Sequence, residues 1–314
     1  MKRQAAFSNE GSFFKGCLHL HSTRSDGKQT PEELMRIYAD HGYDFLAHTD
    51  HRRYNRTNYL PETGLTVIPG MEIDCGVITE GEPDDGGFRT MHTVVIGPDD
   101  ETNGYADEEV FVYHDAADQK GFQKRLDEAH AKNNLTFYCH PEWSSTPTAY
   151  FDQLKDNFGM EIYNHGCAIE NGADTNAAYW DELLGAGQKL YGVATDDAHG
   201  TSQYCGGYVM VKAPSQSVKD LLTALKNGAF YSSCGPVIRD FYVEDGKAHL
   251  IAEGSVEVQF HYYRHPGIRV RAIPGVTMTE AIAPVSRFSY IRASVVDREG
   301  RRAWTNPIFL NEEV

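Results

Sequence analysis

The sequence predicts a mixed α/β protein: a barrel-like unit of alternating strands and helices over residues 1–235, then a small all-β, sandwich-like domain over 236–314. Three observations carry this. Short apolar runs alternate with amphipathic helical stretches through the first two-thirds, the pattern of βα units around a mainly parallel sheet. That alternation stops near Ser232-Ser233-Cys234-Gly235-Pro236, and the runs beyond it, such as AHLIAEGSVEVQFHYYR and RFSYIRASVVD, suit a small sandwich. Metal-binding residue types collect at strand ends, which favours a closed or nearly closed barrel over a doubly wound sheet.

The first helix is legible in full at residues 30–42, TPEELMRIYADHG. Thr30 is its N-cap, Pro31 sits in the first turn, Glu33 closes a capping box, and Gly42 stops the helix. Leu34, Ile37 and Tyr38 give it an apolar face. A strand is expected next at YDFLAHTDH, with others at LTVIPGMEI, HTVVIG, LTFYCH, GMEIYN, KLYGVATDD and YVMVKA. Helices are expected over 121–133, 149–157, 177–187 and 215–227, and the run EGEPDDGG at 80–87 reads as a flexible loop.

Composition narrows the function classes. Of 314 residues, 40% are hydrophobic and 24% charged, the balance of a globular protein with a full core. No apolar run approaches the roughly 20 residues that span a bilayer. The start, MKRQAAFSNEGSFF, lacks a secretory signal, so cytoplasm is the expected compartment. The six cysteines form no CxxC pair and are expected to be reduced and mostly buried. Residues 236–314 hold ten bases and ten acids, so the net charge of −16 resides in 1–235, with 19 bases against 35 acids. Such a surface repels nucleic acid unless bound cations reverse the local sign.

The chemistry lies in the histidines, 14 in all. His19 and His21 form His-Leu-His at the end of an apolar run. Strand alternation puts both on one face, about 7 Å apart along the backbone. Alone, this spacing leaves metal ligation and two ordinary packed histidines equally open. The neighbours decide. Asp26 follows in Ser-Asp-Gly, His51 ends Thr-Asp-His, Glu72 lies in Gly-Met-Glu-Ile, His140 precedes Pro141, and Asp197 and His199 form Asp-Ala-His. All sit at or just past strand C-termini, whereas His92 is the exception, at the start of its own strand. Six histidines and three carboxylates suit zinc, manganese or iron better than calcium or magnesium. Nine ligands suffice for two or three divalent ions with one carboxylate shared. Such a cluster makes hydroxide from a bridging water near neutral pH and clamps the oxygens of a phosphate.

In order, the blocks HLHSTRSDG, TPEEL, AHTDH, GMEI, CHPEW and ATDDAH resemble those of the polymerase-and-histidinol-phosphatase (PHP) family, over about residues 15–235. The resemblance implies a distorted (β/α)7 TIM-like barrel, up to three metal ions and hydrolysis of phosphate esters. It implies that His19, His21, Glu72 and Asp197 bind one ion, that Glu72 bridges to a second held by His92 and His140, and that Asp26, His51 and His199 hold a third. The stretches EIYNHG, YWDELLGAG, YGVATDDAH and YSSCGP look like a bacterial subgroup with a β-rich C-terminal extension. His48 stands where such members commonly carry an aliphatic residue, and is read as a core residue or a partner of a ligand rather than a ligand.

Glu72, Asp197 and Arg24 are the candidate catalytic residues. Arg24, Arg52 and Trp143 are the candidate substrate contacts: arginines for a phosphate, the indole for a ring. Each also has an ordinary reading, as a surface arginine or a packed aromatic. His165 is a weaker candidate, and His41, His114, His130, His249, His261 and His265 read as structural. The expected substrate is a small phosphomonoester or a short or cyclic diester, attacked by a metal-bridging hydroxide with inversion and no phospho-enzyme. The alternative is a metal-dependent nuclease acting on single strands or oligonucleotides, to which Arg264, Arg269, Arg271, Arg301 and Arg302 would contribute. A non-catalytic metal-binding module is the third reading.

Overall fold

The computed structural model describes residues 3–7, 10–76, 90–100, 104–107, 119–174, 176–263, 265–285 and 289–310. The EGEPDDGG run, His114 and Arg264 lie outside them. The first part of the chain forms β1 (Gln4–Ala5), β2 (Ser12–Cys17), α1 (Pro31–Asp40), β3 (Phe45–Leu46), β4 (Thr66–Val67), β5 (Gly70–Gly76) and β6 (Thr90–Ile96). It continues with α2 (Gln119–Ala131), β7 (Leu135–Tyr138), β8 (Gly159–Asn164), α3 (His165–Asn171), α4 (Asn176–Gly185), β9 (Tyr191–Thr195), β10 (Tyr208–Ala213), α5 (Val218–Lys226) and β11 (Phe230–Ser233). Strands alone follow: β12 (Val237–Glu244), β13 (Lys247–Ser255), β14 (Glu257–Tyr262), β15 (His265–Arg271), β16 (Met278–Pro284), β17 (Tyr290–Val296), β18 (Arg302–Thr305) and β19 (Ile308–Phe309). The fold is mixed α/β, with extensive sheet and five α-helices among the described residues.

The strands of the first part pair in an order that returns to its start. β2 and β3 run parallel, and an isolated parallel bridge from His51 to Glu72 leads on to β5. β5, β6, β7, β8 and β9 follow as one sheet. A second parallel bridge, Leu20 to Ala198, joins the end of β9 to the residues after β2. The expected parallel arrangement holds for β7, β8 and β9. It does not hold for β6, which runs antiparallel to both β5 and β7. This reversal accounts for His92: the first residues of β6 lie beside the last of β5, with His92 opposite Asp74.

Leu18, just past β2, is buried in one cluster with Phe45, Val94, Phe137 and Val193 of four further strands. Trp180 and Leu184 of α4 and Phe122 and Leu126 of α2 pack in a second cluster with Met160 and Ile162 of β8. In the last part, Ile238, Phe241 and Leu250 of one sheet face Val258, Phe260, Ile291 and Val295 of another. That second sheet is not confined to the C-terminal residues. Its order runs β15-β14-β17-β18-β11-β10-β2-β3-β4, with β19 paired to β17 off this path, so strands from both ends of the chain share one ten-stranded sheet. β1 likewise pairs with β12.

The α1 capping box is present: Thr30 Oγ1 accepts from the Glu33 amide at 3.3 Å, and Glu33 Oε2 accepts from the Thr30 amide at 2.9 Å. Gly42 ends the segment at φ 70°. The helix expected over 149–157 is corrected to a single 3₁₀ turn, Thr148–Tyr150. Asp156, at φ 65°, breaks any continuation. Asp and Asn in this stretch favour local turns over helix. The expected strand LTVIPGMEI is divided at Pro69 into β4 and β5, since proline offers no amide to a ladder. Among the described residues no helix is long and apolar enough to cross a membrane.

Candidate metal centre

All nine expected ligands converge at one end of the ring of strands. Glu72, from β5, is buried and serves two groups at once. Its Oε2 lies 3.3 Å from His19 Nε2, 3.2 Å from His21 Nε2 and 3.1 Å from His51 Nδ1. Its Oε1 lies 2.8 Å from His92 Nδ1 and 3.2 Å from His140 Nε2. Asp197 Oδ1 closes the first group, 3.3 Å from His19 Nε2 and 3.1 Å from His21 Nε2. A further group forms where Asp26 Oδ1 comes within 3.4 Å of His199 Nε2 and Oδ2 within 3.6 Å of His51 Nε2. His21 also reaches this group, and His51 stands between it and Glu72.

The donor set fits divalent ions. His19 Nε2 and His21 Nε2 point at each other across 3.1 Å, with Glu72 Oε2 and Asp197 Oδ1 beside them. Five of the six edges of this tetrahedron measure 3.1–3.3 Å. A regular tetrahedron of that edge has its centre about 2.0 Å from each corner, the distance zinc keeps from nitrogen and carboxylate oxygen. His51 Nδ1 is buried, faces Glu72 and makes no hydrogen bond, as an atom reserved for a cation would be.

The electrostatics match. Burial pushes His19, His21 and His140 down, yet Asp197 and Glu72 outweigh it and hold all three above the usual histidine range, His21 at about 10. Burial pushes Glu72 and Asp197 up, and the surrounding histidines, His19 foremost, drive both well below the carboxylate range. Asp26 is lowered by His199, His21 and His51 against the opposing effect of its burial.

Residues not singled out in the sequence hold these ligands in place. Glu161, mid-strand in β8 and fully buried, accepts from His19 Nδ1 at 2.7 Å, the His140 amide at 3.0 Å, Thr195 Oγ1 at 2.5 Å and Asn164 Nδ2 at 3.1 Å. Asn164 Nδ2 also donates to Asp197 Oδ2 at 2.9 Å. Asp50, between the ligand-bearing segments, accepts from the amides and hydroxyls of Ser22 and Ser25 and so fixes the turn that carries Asp26. Asp196 accepts from Tyr38 Oη and the amides of Cys205, Gly206 and Gly207, which ties the end of β9 to the next loop.

The groups open into a cavity of about 280 Å³ lined by Asp26, His51, Glu72, His92, His140, Asp197 and His199. Trp143 forms part of its wall, with Gly166, Cys167, Glu170 and Gln203, which the sequence did not single out. Arg24 and Arg52 do not line it. Arg24 turns to the Tyr59 hydroxyl, and Arg52, at φ 56°, donates to Asp74 Oδ2 at 3.3 Å. His48 is fully buried with neither ring nitrogen hydrogen-bonded, pushed down to about 4 by burial, and outside every ligand group. His165 bonds Tyr163 Oη at 3.0 Å and packs on Gly206, away from the cavity.

No family model matches the chain, and no curated protein does. Solved structures are similar to it. A two-domain protein from Bacteroides vulgatus, containing a predicted PHP-like metal-dependent phosphoesterase, is 14% identical with 98% of each chain covered and a TM-score of 0.48. An amidohydrolase from Chromobacterium violaceum, with bound sulfate and no metal, is 16% identical over 59% of this chain and 87% of its own, with a TM-score of 0.41. The lesion-specific endonuclease PfuEndoQ from Pyrococcus furiosus is 13% identical over 68% of this chain and 56% of its own, with a TM-score of 0.42.

Proposed function

We propose that this chain is a metal-dependent hydrolase that cleaves a small phosphate ester. The observation that carries the reading is Glu72, whose two carboxylate oxygens each face a separate set of imidazoles. The ordered blocks that resemble the PHP family support it. His19, His21, Glu72 and Asp197 would hold one ion, Glu72, His92 and His140 a second, and Asp26, His51 and His199 a third. Zinc, manganese and iron suit these donors. Bound ions would supply a nucleophilic hydroxide at neutral pH and positive charge for the phosphoryl oxygens.

The remaining residues orient and enclose. Glu161 fixes the His19 ring by accepting from its Nδ1, so that Nε2 is the nitrogen left for an ion. Asn164 tethers the carboxylate of Asp197, and Trp143 walls the cavity beside His92 and His140. The cavity volume favours a compact ester over a nucleic-acid strand, so the nuclease alternative gains no support. The returning order of strands supports the distorted barrel, with residues 1–235 as the hydrolase unit and 236–314 as a sandwich-like companion.

Elemental analysis of protein purified without chelator, followed by p-nitrophenyl monoester, p-nitrophenyl diester and single-stranded oligonucleotide assays, tests the proposal. Two to three transition-metal ions per chain and turnover of a p-nitrophenyl ester are expected. One ion or fewer refutes the multinuclear assignment. Turnover of the oligonucleotide alone refutes the small-ester reading.

A further inference from the structure

The wall of the cavity beyond the metal ligands is built from a flat apolar face and a braced acceptor. Trp143 is 43% exposed, whereas the other two tryptophans, Trp180 and Trp304, are buried. Its indole stands edge-on to His140 and His92, at ring separations of 5.0 and 5.8 Å. With the Asn171 amide turned so that its oxygen faces the indole, Nε1 donates to it at 3.3 Å. The ring is thus held while its face stays in contact with solvent. Close by, Gln203 Nε2 donates to Glu170 Oε1 at 2.6 Å. Gln203 is itself fixed, since its Oε1 accepts from the amides of His199 at 2.6 Å and Gly200 at 3.0 Å. Glu170 is therefore positioned from the side of the ligand His199, and its Oε2 has no hydrogen-bond partner among the described residues. A hydrogen-bond acceptor held beside a clamped aromatic face complements an alcohol that carries hydroxyls around an apolar ring.

We propose that Trp143, Glu170 and Gln203 form a leaving-group subsite for a phosphate ester of a small cyclic polyol, such as a sugar or a cyclitol. The inference rests on the phosphoesterase reading of the adjoining metal centre. Trp143 receives the C–H face of the ring, Glu170 accepts from a ring hydroxyl, and Gln203 keeps Glu170 in register with the metal ligands. Glu170 is exposed in the unliganded cavity, so it is the bound ring that covers it, and an analogue lacking the hydroxyl would leave that carboxylate oxygen covered and unpaired.

The test pairs myo-inositol 1-phosphate with cyclohexyl phosphate, which share ring and phosphate and differ only in the hydroxyls; aminocyclohexyl phosphate and p-nitrophenyl phosphate complete the set. For the metal-loaded protein, kcat/KM for the inositol ester is expected to exceed that for the cyclohexyl ester at least tenfold. Glu170→Ala is expected to bring the ratio close to one, the loss falling on kcat/KM for the inositol ester. Inositol phosphate is also expected to change the exposed tryptophan's fluorescence in the native protein and not in Trp143→Phe. A native ratio near one overturns the proposal, as does a preference for the amine. Equal losses on both substrates in Glu170→Ala assign that residue a structural role and overturn it too. If p-nitrophenyl phosphate is turned over without discrimination in the pair, only the subsite fails. If no ester is turned over, the phosphoesterase reading fails and the subsite with it.

Discussion

His140 and Asp197 adopt φ of 27° and 46°, a region that side chains other than glycine seldom occupy. Both are held there from outside: the His140 amide donates to Glu161, and the Asp197 amide to the His19 carbonyl at 2.8 Å. Backbone conformations of this kind cost on the order of 1–3 kcal/mol each and persist where the surroundings over-determine them. His140→Ala and Asp197→Ala are each expected to lower kcat at least tenfold while the far-ultraviolet circular dichroism spectrum stays native. Near-native turnover with saturating metal would show that the ligands are misassigned. Glu161→Gln is expected to weaken metal binding ten- to a hundredfold, measured by competition with a chromophoric chelator. An unchanged affinity would leave Glu161 a packing residue. The nine candidate ligands could be picked out because each stands in a short block with its chemistry exposed in the sequence. Glu161 could not. A carboxylate in the middle of GMEIYN gives no sign that it meets His19, 142 residues earlier. Glu170 and Gln203 were equally silent, since their pairing depends on the approach of α3 to the 3₁₀ turn Thr201–Gln203.

At the scale of elements, α1 was readable from its cap alone, and α2, α4 and α5 from periodicity to within a few residues. The direction of β6 was not readable, because apolar alternation is identical in parallel and antiparallel strands. α3 was missed because its start, NHG after an apolar run, reads as a turn; Asn164 accepting from the Cys167 amide makes it a helix. One contact between elements carries a pH prediction. His261 of β14 bonds Ser294 Oγ of β17 at 3.0 Å and lies near Arg292, which is buried and donates to both carboxylate oxygens of Asp181 of α4. Burial, then the Arg292 and Arg302 charges, push His261 down to about 2. Its folded value lies below the unfolded one near 6.5, so the native state binds fewer protons. The stability it contributes is complete above about pH 6.5 and falls away as pH drops toward 2, by up to ~1.4 kcal/mol per unit. Urea midpoints for His261→Gln are expected to fall less steeply than those of the native protein between pH 6 and pH 4. Parallel slopes would show that the imidazole is already charged when folded.

For the whole molecule, the change of pattern at 232–236 marks where helices give way to strands alone, but not how the two stretches join. Pairing between β11 and β18, and between β1 and β12, is fixed by partners too distant in sequence for any local signal. A fragment ending at residue 235 would leave Ser233 and Tyr231 without their partners Ala303 and Thr305. That fragment is expected to be insoluble or to unfold far below the full chain, as judged by yield and thermal midpoint. A soluble, metal-binding fragment of near-native stability would mean that the shared sheet contributes little. The same sheet has a consequence during synthesis. β2 cannot meet β10 until roughly 190 more residues have been added, on the order of 10–40 s of translation. Through that interval Phe13 and Phe14 sit on a strand with one edge open, a template for pairing with other nascent chains. Yield in the cell should therefore depend on chaperones that cover β-strands more than refolding of the complete chain does, since the finished chain offers β2 its partner from the start.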